Sequence, residues 1–124
     1  MDVSIIFVNY NTVSLLMDAI VSVLEKTLDI EFEIIVVDNA SVDNSQTLLS
    51  DRFGDKVKYL ALPENIGFGR ANNEGMKIAK GRNIFLLNPD TILQNNAVKK
   101  LSNYLCQNEG VGVVGANLYN EDGS

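Results

Sequence analysis

The residues best placed to do chemistry are Asn88-Pro89-Asp90-Thr91, which follow directly on the apolar run Ile84-Phe85-Leu86-Leu87. That run reads as a buried strand beginning at Asn83, and Pro89 cannot continue a central strand, so the strand stops at Asn88. An amide, a carboxylate and a hydroxyl then crowd its C-terminal mouth. Oxygen ligands of this kind suit a hard divalent cation, Mg2+ or Mn2+, and a cation held there suits a diphosphate. The same residues also read as a plain turn into an N-capped helix, and the choice depends on what the rest of the chain brings beside them.

Composition removes several other chemistries. None of the 124 residues is histidine, which excludes Ser-His-Asp and Cys-His nucleophiles, His-ligated metals and a His general base together. Acid or base chemistry must therefore use carboxylates. The single cysteine, Cys106, excludes an internal disulfide and a Cys-rich zinc site. A net charge of -6 without a basic run argues against nucleic acid as a partner. With no basic n-region at Met1 and no apolar run near the ~20 residues that span a bilayer, a cytoplasmic location is expected.

The elements that must position Asp90 alternate strand and helix as one domain. Strands are predicted at Val3–Val8, Phe32–Val37, Val57–Leu62, Asn83–Leu87 and Val111–Ala116, each an apolar run ended by Asn, Asp, Pro or Gly. Helices are predicted at Val13–Lys26 with Asn11 or Thr12 as N-cap, and at Asp43–Arg52 capped by Ser41 or Asp43. Two more are predicted at Phe68–Lys80 with Gly81 as its C′ residue, and at Gln94–Gln107 with Ala97, Val98, Leu101, Tyr104 and Leu105 as its buried stripe. Ala71, Gly75 and Ala79 would let the third helix lie close against a sheet. Helices between successive apolar strands imply right-handed crossovers, hence a doubly wound, mainly parallel α/β sheet with helices on both faces.

Parallel strands bring all their C-termini to one edge, where ligands bind at the switch in winding. The candidates there are Asn9, Tyr10 and Asn11, then Asp38 and Asn39, then Glu64, Asn65 and Gly67, then Asn88 and Asp90. The helix beginning near Gly67 adds its N-terminus and Arg70. This inventory fits a nucleoside diphosphate, with Asp38 accepting a pyrimidine ring N–H and Asp90 holding the bridging metal. Gly67-Phe68-Gly69-Arg70-Ala71-Asn72 is a poor dinucleotide fingerprint in the wrong place, and no Gly-Lys-Ser/Thr phosphate loop occurs.

Four motifs in this order, Ser4-Ile5-Ile6-Phe7-Val8-Asn9-Tyr10-Asn11, Val36-Val37-Asp38-Asn39-Ala40-Ser41, Glu64-Asn65-Ile66-Gly67-Phe68-Gly69-Arg70-Ala71-Asn72-Asn73-Glu74-Gly75 and Leu86-Leu87-Asn88-Pro89-Asp90-Thr91, resemble the family 2 inverting glycosyltransferases, nearest their rhamnosyltransferase-like branch. The resemblance runs over essentially the whole chain and implies a GT-A type fold. It implies that Asp38 reads uracil or thymine with Val8, Asn9 and Tyr10 flanking the nucleoside. It further implies that Asn65, Gly67, Arg70 and Asn73 line the donor pocket, and that Asp90 binds Mg2+ or Mn2+, with Asn88 where many relatives carry a first Asp. A neutral amide is a weaker ligand for such a cation than a carboxylate.

Transfer with inversion also needs a carboxylate to deprotonate the acceptor hydroxyl. The resemblance places that base beyond Ser124, in an acceptor-binding half absent from residues 1–124; Glu121-Asp122 reads as a surface turn. The expected partners are a nucleotide-sugar donor (UDP- or dTDP-linked) and a saccharide or lipid-linked acceptor, as in polysaccharide biosynthesis for the cell envelope. Peripheral membrane association and self-association through an exposed apolar sheet edge are compatible with this reading. The alternative is a non-catalytic nucleotide-sugar-binding module of the same fold, which Asn88 keeps open.

Overall fold

A computed structural model of the chain describes residues 1–107. The predicted strand at 111–116, Gly110 and the Glu121-Asp122 pair lie outside the described residues. The elements are β1 (Val3–Asn9), α1 (Val13–Lys26), β2 (Phe32–Asp38), α2 (Ser45–Phe53), β3 (Val57–Ala61), α3 (Phe68–Ile78), β4 (Asn83–Leu87) and α4 (Ala97–Gln107), with a single 3-10 turn at Gly54–Lys56. The four strands form one parallel sheet in the order β3-β2-β1-β4. The register sets Val3 beside Phe32 on one side and beside Asn83 on the other, so β1 is central and buried along its whole length.

Two apolar layers cover the sheet. On one face Phe7, Ile34 and Val36 meet Leu16, Ile20 and Val23 of α1, Leu49 and Phe53 of α2 and Val98 of α4. On the other, Ile6, Val8, Ile35 and Val37 meet Ala71 of α3. This alternation follows from the side-chain period of two in each strand. The doubly wound arrangement is therefore as expected. After β3 the chain crosses back over β2 and β1 to place β4 on the far side, and the winding reverses between β1 and β4.

Strand limits agree with the apolar runs to within one residue and α1 and α3 start where expected, at Val13 and Phe68, whereas the starts of α2 and α4 differ. α2 begins at Ser45 because Asp43 is engaged elsewhere: its Oδ2 accepts Val13 N–H (3.1 Å) and its Oδ1 accepts Ser45 N–H (3.2 Å). α2 is instead entered through Asn44 in a left-handed conformation (φ 57°), and neither Ser41 nor Asp43 is its N-cap. At α1 the N-cap position is Thr12, with no capping bond from its side chain. α4 begins at Ala97, since Asn96 is held against the loop after α1 by reciprocal bonds with Leu28 N–H (3.2 Å) and Leu28 C=O (2.9 Å). Its buried residues are Val98 and Ser102, and Tyr104 is 47% exposed. Ala97, Leu101 and Leu105 of the expected stripe are half-buried beside Val98, so only Tyr104 departs from it, and Ser102 Oγ, which accepts from Asn83 Nδ2 (2.8 Å), joins the side facing β4.

α3 ends at Ile78, so Gly81 is not its C′ residue. Gly81 is required for a different reason: a Cβ there would lie 2.3 Å from the backbone nitrogen of Ser4. At Gly75 a Cβ would come within 2.9 Å of Ile6 Cγ2 and 3.0 Å of Val37 Cγ2, which confirms the close seating of α3 on the sheet. Among the described residues no helix is long and apolar enough to cross a membrane.

Candidate functional site

A cleft of about 350 Å³ opens at the carboxyl edge of the sheet, at the winding switch. It is lined by Val8, Tyr10 and Thr12 after β1, Asn39 after β2, Asn65, Gly67 and Phe68 before and at the start of α3, and Pro89 after β4. Tyr10 (51%) and Phe68 (52%) stand exposed at this cleft, two aromatic surfaces able to pack on a planar ring. Of the residues expected here, Val8, Tyr10, Asn65 and Gly67 line it directly. Arg70, Asn73, Asn88 and Asp90 are exposed and lie outside this lining.

Asn9 and Asp38 lie behind the wall and build it. Asn9 Nδ2 donates to Asp38 Oδ1 (2.8 Å) and to Ser41 Oγ (3.1 Å), while its Oδ1 accepts Thr12 N–H and Thr12 Oγ–H. Asp38 is 4% exposed. Its Oδ1 also accepts from Ser45 Oγ (3.2 Å) and its Oδ2 accepts Ser41 N–H (2.9 Å). Burial pushes this carboxyl up, and hydrogen bonds from Ser41, Asn9 and Ser45 outweigh it, leaving Asp38 below the ordinary aspartate value. Because Ser45 gives its proton to Asp38, it accepts from Tyr59 O–H at 2.9 Å. Burial, with the charges of Asp38 and Asp43 nearby, pushes the Tyr59 hydroxyl up to about 12.

Asp38 does not line the cleft beside Tyr10 and Phe68 but an adjoining one at the same edge, with Ala40, Ser45 and Tyr59. Both its oxygens are already bonded, and it lies on the α1/α2 face together with Ile34 and Val36. The next residue, Asn39, turns to the cleft. It is 3% exposed, its N–H donates to Asn9 C=O (2.8 Å) and its Oδ1 accepts Ile66 N–H (2.9 Å). Strand parity carries the signal for this: a residue in phase with Ile34 and Val36 points into the first apolar layer, so the one after it is offered to the edge.

The loops at this edge are strained in a way the opposite edge is largely not. Asn11 (φ 55°), Ala40 (φ 62°), Asn44 (φ 57°) and Gly67 (φ 89°) all take positive φ here. For Ala40 the left-handed conformation costs about 1 kcal/mol. It is held by cross-loop bonds, Asn11 N–H to Ser41 Oγ (2.9 Å) and Val42 N–H to Asn11 Oδ1 (2.9 Å). Asn65 Oδ1 accepts Gly67 N–H (2.9 Å), which steers the chain into α3. No side chain caps α3, and its first internal bond is Ala71 N–H to Gly67 C=O (3.1 Å), so the N–H groups of its first turn face the edge without a cap.

Among the described residues no three His, Cys, Asp or Glu side chains lie close enough to hold a metal by themselves. Asp90 is an exposed carboxylate in the turn closed by Thr91 N–H to Asn88 C=O (3.0 Å). One carboxylate fits a cation whose remaining ligands are phosphate oxygens and water.

Fold and cleft together define a doubly wound α/β protein with an open cleft at the carboxyl edge of the sheet. Residues 4–124 match the model of glycosyl transferase family 2, and the chain belongs to that family. It is 31% identical over 98% of its length to the glycosyltransferase GlyG of Streptococcus pneumoniae serotype 4. It is 31% identical over 91% of its length to the poly(ribitol-phosphate) beta-N-acetylglucosaminyltransferase TarP of Staphylococcus aureus. The chain spans 40% and 36% of those relatives. Among solved structures it shares its fold with S. aureus TarS 1-349, at a TM-score of 0.76 and 22% identity over 95% of this chain and 39% of that one. The same TarS region in complex with UDP matches equally, with a TM-score of 0.76.

Proposed function

We propose that this chain is the donor-binding part of an inverting glycosyltransferase that takes a UDP- or dTDP-linked sugar. The observation that carries the reading is the cleft at the β1/β4 winding switch, walled by two aromatic rings and an amide and bordered by the uncapped start of α3, in a chain of this family. The base packs between Tyr10 and Phe68 with the Asn39 amide at its edge, and Asp38 holds Asn9 and Ser41 so that the wall keeps its shape. The diphosphate lies toward the α3 N-terminus, where backbone N–H groups and Arg70 meet its charge. Asn65 and Asn73 face the donor sugar.

Asp90, with Asn88 beside it, would hold Mg2+ or Mn2+, which supplies charge neutralisation for the departing diphosphate. The acceptor oxygen attacks the anomeric carbon as the bond to the diphosphate breaks; the electron pair leaves with the nucleoside diphosphate. The hydroxyl proton passes to a carboxylate that lies outside residues 1–124. The acceptor is a saccharide or a lipid-linked saccharide of the cell envelope, as the poly(ribitol-phosphate) substrate in the name of TarP suggests.

Calorimetric titration of UDP, dTDP, GDP and ADP, with and without Mn2+, tests this reading. Pyrimidine-selective binding enhanced by Mn2+, with the enhancement lost in Asp90→Ala, is the expected result. Metal-independent binding in both proteins would favour a non-catalytic nucleotide-sugar-binding module instead. Absence of binding to any of the four would overturn the donor site.

A further inference from the structure

We propose that Glu33, at the opposite end of the sheet, is a positioning residue for the diphosphate end of this cleft and acts through α3; the proposal rests on the donor-site reading above. Glu33 is a charged residue inside a buried strand, 8% exposed and on the face that α3 covers. Its Oε2 accepts Ser4 Oγ–H (2.5 Å) and Lys80 N–H (2.6 Å), and its Oε1 accepts Lys58 Nζ (2.7 Å). Ser4 Oγ in turn accepts Gly81 N–H (2.7 Å). Burial raises the Glu33 carboxyl, but these bonds and the Lys58 charge lower it further, to about 2.

Two side chains from β1 and β2 thus grip two successive backbone N–H groups just past the end of α3. The grip is tight, because Gly81 lies directly on β1 with no room for a Cβ. Gly75 holds the middle of α3 equally close to Ile6 and Val37. Sideways movement of the helix is blocked by that contact, and movement along its axis is blocked at Lys80-Gly81. The other end has no side-chain cap, and its lead-in residue, Gly67, sits at φ 89°. Eleven residues of helix, roughly 16 Å, therefore carry the position of the Lys80-Gly81 anchor to the N–H groups that meet the phosphates. Amide donors of this kind tolerate errors of only about 0.5 Å.

Lys58 separates positioning from stability. It neutralises Glu33 from β3, whereas the Lys80 and Gly81 N–H groups are held by Glu33 and Ser4. The test compares wild type, Ser4→Ala, Glu33→Gln and Lys58→Met in the intact protein. Each is titrated with UDP plus Mn2+ and with uridine, which lacks the diphosphate, and each is unfolded in urea. Ser4→Ala and Glu33→Gln should weaken UDP by about fivefold relative to uridine, the value of roughly one hydrogen bond. Lys58→Met should lower the urea midpoint while leaving the UDP-to-uridine ratio within about twofold of wild type.

An unchanged ratio in Ser4→Ala, or a loss in Lys58→Met as large as in Ser4→Ala, overturns the proposal. Should Glu33→Gln fail to fold, Ser4→Ala decides alone. Wild type that binds uridine and UDP equally weakly, with no effect of Mn2+, overturns the donor-site reading and this proposal with it.

Discussion

β2 carries two buried carboxylates, one near each end, and the protein treats them differently. Glu33 has a cation, Lys58, and closes a joint between α3 and the sheet. Asp38 has only neutral donors, Asn9, Ser41 and Ser45, and is kept ionised by hydrogen bonds alone. The difference shows what each edge is for. A paired charge completes a joint, whereas Asp38 is balanced only by the dipoles of the donors that tie the loops after β1 and β2 together.

Substitutions sharpen the contrast, beginning with the strongest. Glu33→Ala leaves Lys80 N–H and Ser4 without their acceptor and Lys58 without its counter-charge, so it should destabilise the fold by about 4 kcal/mol in urea denaturation. Asp38→Ala should cost about 3 kcal/mol by the same assay and abolish nucleotide binding as the loops after β1 and β2 come apart. Asn39→Ala should cost only about 1 kcal/mol while still reducing nucleotide affinity, which distinguishes the residue at the cleft from the one behind it. Equal effects on binding and stability at positions 38 and 39 would erase that distinction.

Acid provides a milder test of the same pair. Both carboxyls are depressed in the folded protein, so their contribution is complete above their unfolded values and is lost as protons bind on the way down. For Glu33 that window runs from 4.5 down to about 2, and for Asp38 it opens below 3.8. Urea midpoints should therefore fall through this range, and Glu33→Gln should flatten the fall. The smallest effect is expected at Tyr59→Phe, which removes one hydrogen bond to Ser45 and should lower stability by about 0.5–1 kcal/mol without altering nucleotide selectivity.

The architecture was legible because β1, β2 and β4 are nearly unbroken apolar runs whose ends are marked by Asn, Asp and Pro. The starts of α1 and α3 were legible too, but those of α2 and α4 were not, because Asp43 and Asn96 are committed to partners 30 and 68 residues away, which no local pattern reveals. The carboxyl edge followed from parallel topology, and Val8, Tyr10, Asn65 and Gly67 were found there. Asp38 and Asn39 were both placed at that edge by the end of β2, and strand parity sends them to different clefts there. Glu33 was passed over entirely. A carboxylate embedded in Phe32–Val37, two residues from Ile35, which is in register with Lys58 of the neighbouring strand, was the available sign.

The Ser4, Glu33 and Gly81 joint also bears on how the chain folds. Ser4 and Glu33 are 29 residues apart, so they can meet once β1, α1 and β2 exist, whereas Gly81 is 77 residues from Ser4. Closing the longer loop costs about 1 kcal/mol more in chain entropy, and during synthesis its residues emerge later. The joint is thus a latch between distant parts of the chain, tying Lys80-Gly81 to β1 two residues before β4 begins at Asn83 and so fixing where the strand that leads to Asn88-Pro89-Asp90 enters the sheet.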